Sequence, residues 1–248
     1  MSLLLTEITC FDGLSNSCIV FAADRRISLN GKYDSTRKKI FQIPSLHAGI
    51  GYFGLAEVHT KGNSLPMNDW LLRFIRKNSD NSNMNVFANE LACNLNKVIS
   101  PGIGKKYISG FHLAGYNSNG IPEFWFIRNV QDDSKTITGQ YEAREDFLST
   151  NARALGYDGK NPRSIKNLVT QIYRNGDFRA HVTAWGKIDE GFGSLFKEPG
   201  FKKLVSISDY EQWVKFKMEV IAYFYKKYSK VSLIARPIDT FTIKGTDA

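Results

Sequence analysis

Two apolar runs near the start of the chain, Leu3 to Cys10 and Cys18 to Ala23, flank FDGLSNS, a stretch of turn-forming residues, and together they predict a β-hairpin. A second pair of strand-like runs follows, KKIFQI (Lys38 to Ile43) and HAGIGYF (His47 to Phe53), broken at Pro44-Ser45. Two hairpins before any helix exclude an alternating βαβ start, because parallel neighbours need a helical crossover between them. Two helical stripes come next. Asn68 to Lys77 sets Trp70, Leu71, Phe74 and Ile75 on one face, and Asn85 to Ile99 carries Val86, Phe87, Leu91, Leu95, Val98 and Ile99 at helical spacing, ending before Pro101-Gly102. Strands return as GFHLAGYN (Gly110 to Asn117) and PEFWFIRN (Pro122 to Asn129), joined by Ser118-Asn119-Gly120. Helical patterns resume at Ser164 to Tyr173, at Phe178 to Lys187, and from Ser208, where S-D-Y-E reads as a capping box, through Trp213, Phe216, Val220, Ile221 and Phe224 to Tyr228. A last strand, Ile238 to Lys244, follows Pro237.

This order of elements predicts an α+β fold of two packed sheets between helical layers. At 248 residues the chain is at the upper end of what one core supports, and with no linker, repeat or low-complexity segment it reads as a single domain over 1–248. Cys10, Cys18 and Cys93 are odd in number and lack CxxC or Cys/His spacing, which argues against a disulfide framework and a zinc site and for a reducing compartment. The opening MSLLLTEITCFDG has no basic n-region and reaches Glu7 too soon for a signal sequence, and no stretch of eighteen apolar residues follows, so a cytoplasmic protein with no membrane partner is expected. The formal charge of +9 is scattered over short clusters such as Arg37-Lys38-Lys39 and Lys226-Lys227, without the interleaved aromatics of a nucleic-acid module. GIGKK (Gly102 to Lys106) lacks the first glycine and final Ser/Thr of a phosphate-binding loop, and His47, His59, His112 and His181 have no metal-ligand spacing.

The run IVFAADRRISLNGKYDSTRKKIFQI, Ile19 to Ile43, resembles the start of proteasome β-subunits of the Ntn-hydrolase superfamily, where an apolar strand ending in A-x-D-x-R precedes a K-K-I/L-F-x-I strand. The similarity spans residues 17 to 57, continues at GFHLAGYNSNGIPEFWFI, and returns at ARPIDTFTI, which looks like the G-G-P-I-D ending of some proteasome-like bacterial proteins. The resemblance implies a four-layer αββα sandwich, self-association into homo-oligomers, a peptide or protein substrate, and no cofactor or metal. It leaves any ATPase partner undetermined.

Carried across by position, Asp24 matches the catalytic carboxylate, Lys39 the catalytic lysine, Arg26 the arginine beside the carboxylate, and Gly54 the glycine whose N–H receives the oxyanion, with Ala56 beside it. Gly51 is an alternative to Gly54. A lysine close to a hydroxyl lowers the cost of removing its proton, and a carboxylate holds that ammonium in place. Glycine lets a backbone donor approach a developing oxyanion. The family nucleophile is amino-terminal, with its α-amine as proton acceptor; here Met1 is followed by Ser2, a small residue that permits methionine removal. A symmetrical hairpin pairing Ser2 with Asp24 centres its turn on Gly13, and Thr6 is the other candidate, which needs cleavage after Leu5. The chain departs from the family in having no S-G-G-S segment and no clear Asp-x-x-Ser match, with LGYDG (Leu155 to Gly159) as a remnant at best. Three functions follow as expectations: an N-terminal-nucleophile amide hydrolase, a catalytically silent proteasome-like subunit with a partner-binding role, and a nucleic-acid-binding protein.

Overall fold

The computed structural model describes residues 3–11, 16–29, 32–60, 63–81, 83–130, 136–147, 169–177, 179–202, 204 and 206–245. In chain order the described strands begin with β1 (Leu3–Cys10), β2 (Ser17–Asp24), β3 (Arg26–Leu29), β4 (Lys32–Thr36), β5 (Ile40–Ile43) and β6 (Ala48–Phe53). They continue with β7 (Glu57–Thr60), β8 (Asn63–Pro66), β9 (Gly110–Tyr116), β10 (Pro122–Val130), β11 (Ile137–Phe147), β12 (Val169–Gly176) and β13 (Ile238–Lys244). The helices are α1 (Met67–Lys77), α2 (Met84–Val98), α3 (Pro101–Lys106), α4 (Arg179–Gly193) and α5 (Ile207–Tyr228).

A four-stranded sheet in the order β12-β1-β2-β13 lies against a five-stranded sheet in the order β11-β10-β9-β6-β5. Every residue of β1 and β2 is buried, as a strand covered on both faces requires. Three apolar clusters define the layers. Leu4, Ile8, Phe21, Ile40, Phe53, Phe124 and Tyr173 fill the space between the sheets. Ile50, Phe111, Leu113, Leu71, Phe74, Phe87 and Leu91 join the five-stranded sheet to α1 and α2. Leu5, Val20, Ala22, Trp185, Val214, Met218 and Ile221 join the four-stranded sheet to α4 and α5. The fold is therefore α+β, with helices outside both sheets.

The sheets approach closely at two glycines of β6. A Cβ at Gly49 would sit 2.7 Å from the ring of Phe241 and 2.8 Å from that of Phe21, and one at Gly51 would sit 2.5 Å from Leu4 Cδ1. Gly51 thus serves sheet-to-sheet packing in the middle of a ladder, opposite Ile40 on one side and His112 on the other.

Several expectations need correction. Val169 to Tyr173, read as part of a helix from Ser164, belongs to β12, which pairs antiparallel with the whole of β1; residues 164–168 lie outside the described set. The cap of α5 is Ser206, two residues before the expected start, and its hydroxyl accepts the Asp209 N–H at 3.1 Å. The register of the first hairpin sets Leu4 opposite Ala23, one residue off the expected symmetrical pairing about Gly13, and the Leu3 N–H donates to the Asp24 carboxylate. The short helix α3 and the ribbons β3–β4 and β7–β8 carry no periodic pattern that predicts them.

Candidate functional site

The end of β2 and the start of β5 bring two opposite charges together in the interior. Lys39 Nζ donates to Asp24 Oδ1 at 3.1 Å and to the Arg26 carbonyl at 2.6 Å. Their side chains are 1% and 0% exposed. Leu3 N–H donates to the same Asp24 Oδ1 at 2.9 Å, and Arg26 N–H donates to Oδ2 at 3.0 Å. Three donors therefore converge on one carboxylate, which is what a buried charge requires. Burial pushes the Asp24 carboxyl up, against the Lys39 charge and the hydrogen bonds. It likewise pulls the Lys39 ammonium down, against the attraction of Asp24 and, more weakly, Asp239.

The surroundings fix this pair. Arg25 makes a two-pronged contact to Asp239, with Nε at 2.7 Å and Nη2 at 2.6 Å, tying the turn after β2 to β13. Arg37 N–H donates to the Arg25 carbonyl at 2.9 Å, and its guanidinium reaches the Ala56 carbonyl at 3.3 Å. Tyr52 N–H donates to the Lys39 carbonyl at 3.1 Å. These contacts draw residues 24–26, 37–39 and 52–56 to one end of the sandwich. Gly54, at the exposed end of β6, has φ +87°, a left-handed backbone suited to glycine. A groove of about 410 Å³ runs alongside, lined in part by Lys38, Ile40 and Asp239.

Of the expected site residues, Asp24, Lys39 and the backbone of Arg26 are in direct contact, and Gly54 lies between Tyr52 and Ala56, which bond to the Lys39 carbonyl and the Arg37 guanidinium. Ser2 and the LGYDG segment lie outside the described residues. Thr6 is elsewhere: it is fully buried between the sheets, its hydroxyl 3.0 Å from His112 Nδ1. His112 Nε2 lies 2.7 Å from Asn175 Oδ1, so the Nε2–H tautomer lets Thr6 donate to Nδ1. Sequence reasoning missed the Arg25–Asp239 clamp, whose one signal is the P-I-D of the last strand.

Among the described residues no group of three or more His, Cys, Asp and Glu is arranged to hold a metal ion, and no helix is long and apolar enough to cross a membrane. No protein-family model matches the chain, and no curated protein matches it. Among solved structures it is similar to Anbu (ancestral beta-subunit) from Yersinia bercovieri, with a TM-score of 0.51 and 12% identity over 97% of this chain and 82% of that one. At this identity the likeness is one of fold, and it agrees with the proteasome-like architecture that residues 17 to 57 resemble.

Proposed function

We propose that the chain is an N-terminal-nucleophile hydrolase of amide bonds, acting on peptides, with Ser2 as nucleophile. The observation that carries this reading is the double occupancy of Asp24 Oδ1 by Lys39 Nζ and by Leu3 N–H. Ser2 is covalently joined to that Leu3 nitrogen, and its hydroxyl and α-amine are proposed to act next to the buried ammonium. In the proposed reaction the Ser2 α-amine takes the hydroxyl proton as Oγ bonds to the substrate carbonyl carbon. Lys39 stabilises the developing alkoxide, and Asp24 holds Lys39. Gly54 N–H receives the oxyanion. The C–N bond then breaks, the α-ammonium proton passes to the leaving amine, and water hydrolyses the Ser2 ester by the same proton route. No cofactor or metal takes part.

The reading requires residue 2 to be the amino terminus, which the intact mass of natively expressed protein reports. A Ser-directed covalent inhibitor should label Ser2, and Ser2→Ala should abolish labelling. Ser2 makes the cleaner test, because removing Lys39 leaves a buried carboxylate without its counter-charge, at about 3–5 kcal/mol of stability. Labelling that survives Ser2→Ala transfers the role to another residue. No labelling of the wild type, with Met1 retained, favours the silent-subunit reading, which the absent S-G-G-S segment also supports.

A further inference from the structure

Gly54 is wedged against a neighbouring segment. A Cβ on it would lie 2.3 Å from the Ile108 carbonyl oxygen and 2.6 Å from Ser109 Cα. The direction of the Gly54 N–H therefore depends on where residues 108 and 109 are held.

A buried side chain ties them down, beside the main-chain bond from the Asn129 N–H to the Ser109 carbonyl at 3.4 Å. Asn129, on β10, is 0% exposed, and its amide is used in three directions. Oδ1 accepts the Ser109 N–H at 2.9 Å, while Nδ2 donates to the Gly104 carbonyl at 2.6 Å and the Tyr107 carbonyl at 2.7 Å. The two carbonyls belong to the end of α3 and the turn after it, where helical partners run out. Both amide hydrogens and one acceptor position are thereby committed to residues 104–109. The Ser109 hydroxyl adds a hydrogen bond to the Tyr141 hydroxyl on β11. The same segment turns Tyr107 and Ile108 outward, 44% and 54% exposed, so packing of those side chains contributes little to its position.

We propose that Asn129 is a positioning residue for the Gly54 oxyanion donor, acting through the Ile108–Ser109 wall that it ties to β10. The inference rests on the hydrolase reading above. It assigns Asn129 no contact with substrate.

The test compares wild type, Asn129→Asp and Asn129→Ala with a peptide-based Ser-directed inhibitor, separating the binding constant from the rate of covalent bond formation. Asn129→Asp keeps an acceptor for Ser109 N–H and loses both donors. Deleting an oxyanion donor costs about 10²–10³-fold, so displacing one should slow bond formation by about tenfold in Asn129→Asp, with Asn129→Ala worse and binding unchanged. In parallel, Gly54 amide exchange should quicken in Asn129→Asp while the amides of β1 and β2 keep their rates. Bond formation at the wild-type rate, or unchanged Gly54 exchange in a variant that merely melts earlier, overturns the proposal. A wild type that takes no label removes the hydrolase reading, and the exchange measurement then decides on its own whether Asn129 controls Gly54.

Discussion

His112 occupies a place where a positive charge has no compensation. It is fully buried, packed by Phe53, Phe124 and Phe126 at ring separations of 6.1, 5.1 and 5.2 Å, and hydrogen bonded to Thr6 and Asn175. Burial first, and Arg128 second, pull its pKa to about 4 from an ordinary 6.5, against the opposing hydrogen bond to Asn175. With the folded pKa below the unfolded one, the unfolded chain takes the proton first. The contribution of neutral His112 is complete above about pH 6.5 and is lost as pH falls toward 4, a swing of about 3 kcal/mol for one proton. In urea unfolding, His112→Gln should be less stable than wild type at pH 7, with the gap narrowing by about 2–3 kcal/mol at pH 4.5. A gap independent of pH would show that His112 is not the titrating group. The contrast with Asp24 and Lys39 explains what is legible at this scale. Those two are recognisable because A-x-D-x-R and K-K-I-F are local strings, whereas the partners of His112 lie on strands remote in sequence and those of Asn129 lie in α3 and the turn after it, 20 to 25 residues earlier. Only the folded register brings them together.

At the level of elements, packing between layers decides more than propensity does. Gly49 and Gly51 give the Phe21–Phe241 stack, centroids 5.0 Å apart, and Leu4 room to enter the space between sheets. Gly49→Ala should therefore overpack this space and cost about 1–3 kcal/mol, because the obstructing atoms are ring carbons held between two sheets. Gly186, inside α4, has no atom within 4 Å of the place an alanine methyl would take, and Gly186→Ala should stabilise by about 0.5–1 kcal/mol through helix propensity. Thermal unfolding of both variants checks the pair, and equal shifts of the same sign would refute the packing argument. The same layering shows why β12 reads as a helix in the sequence. Ile165, Leu168, Val169, Ile172 and Tyr173 fall at helical intervals. Yet Ile172 packs toward the helices while Tyr173 stacks on Phe124 at 3.6 Å between the sheets. With apolar residues at adjacent positions turned to opposite faces, this edge strand shows no clean period of two, and periodicity alone then cannot separate it from a helix. The hairpins β1–β2 and β9–β10 and the strand β13 are legible because turn residues bound them.

Across the whole molecule, the outer surface of α5 is unusual for an isolated domain. Phe216, Tyr223, Phe224 and Tyr228 are 38%, 49%, 56% and 72% exposed, and the rings of Phe224 and Tyr228 lie 5.6 Å apart. Exposed aromatic surface of this extent is expected to associate, and self-association is what a subunit of the proposed kind needs to seclude its nucleophile. The lysines at the same end of the helix, Lys226, Lys227 and Lys230, are all exposed. An isologous contact through this face brings both sets of lysines together, so repulsion opposes the apolar gain until salt screens it. Sedimentation or light scattering should therefore give a mass above the 28.1 kDa of one chain, rising between about 0.05 and 0.5 M salt as the Debye length shrinks. Phe224→Glu with Tyr228→Glu should return the protein toward monomer. Binding to a nucleic acid through the same lysines has the opposite dependence, since phosphate contacts weaken as salt rises. A strict monomer at micromolar concentration in high salt, or a double variant that associates as wild type does, removes this face from the assembly. Affinity for single-stranded nucleic acid that falls steeply with salt would restore the basic surface as the functional one.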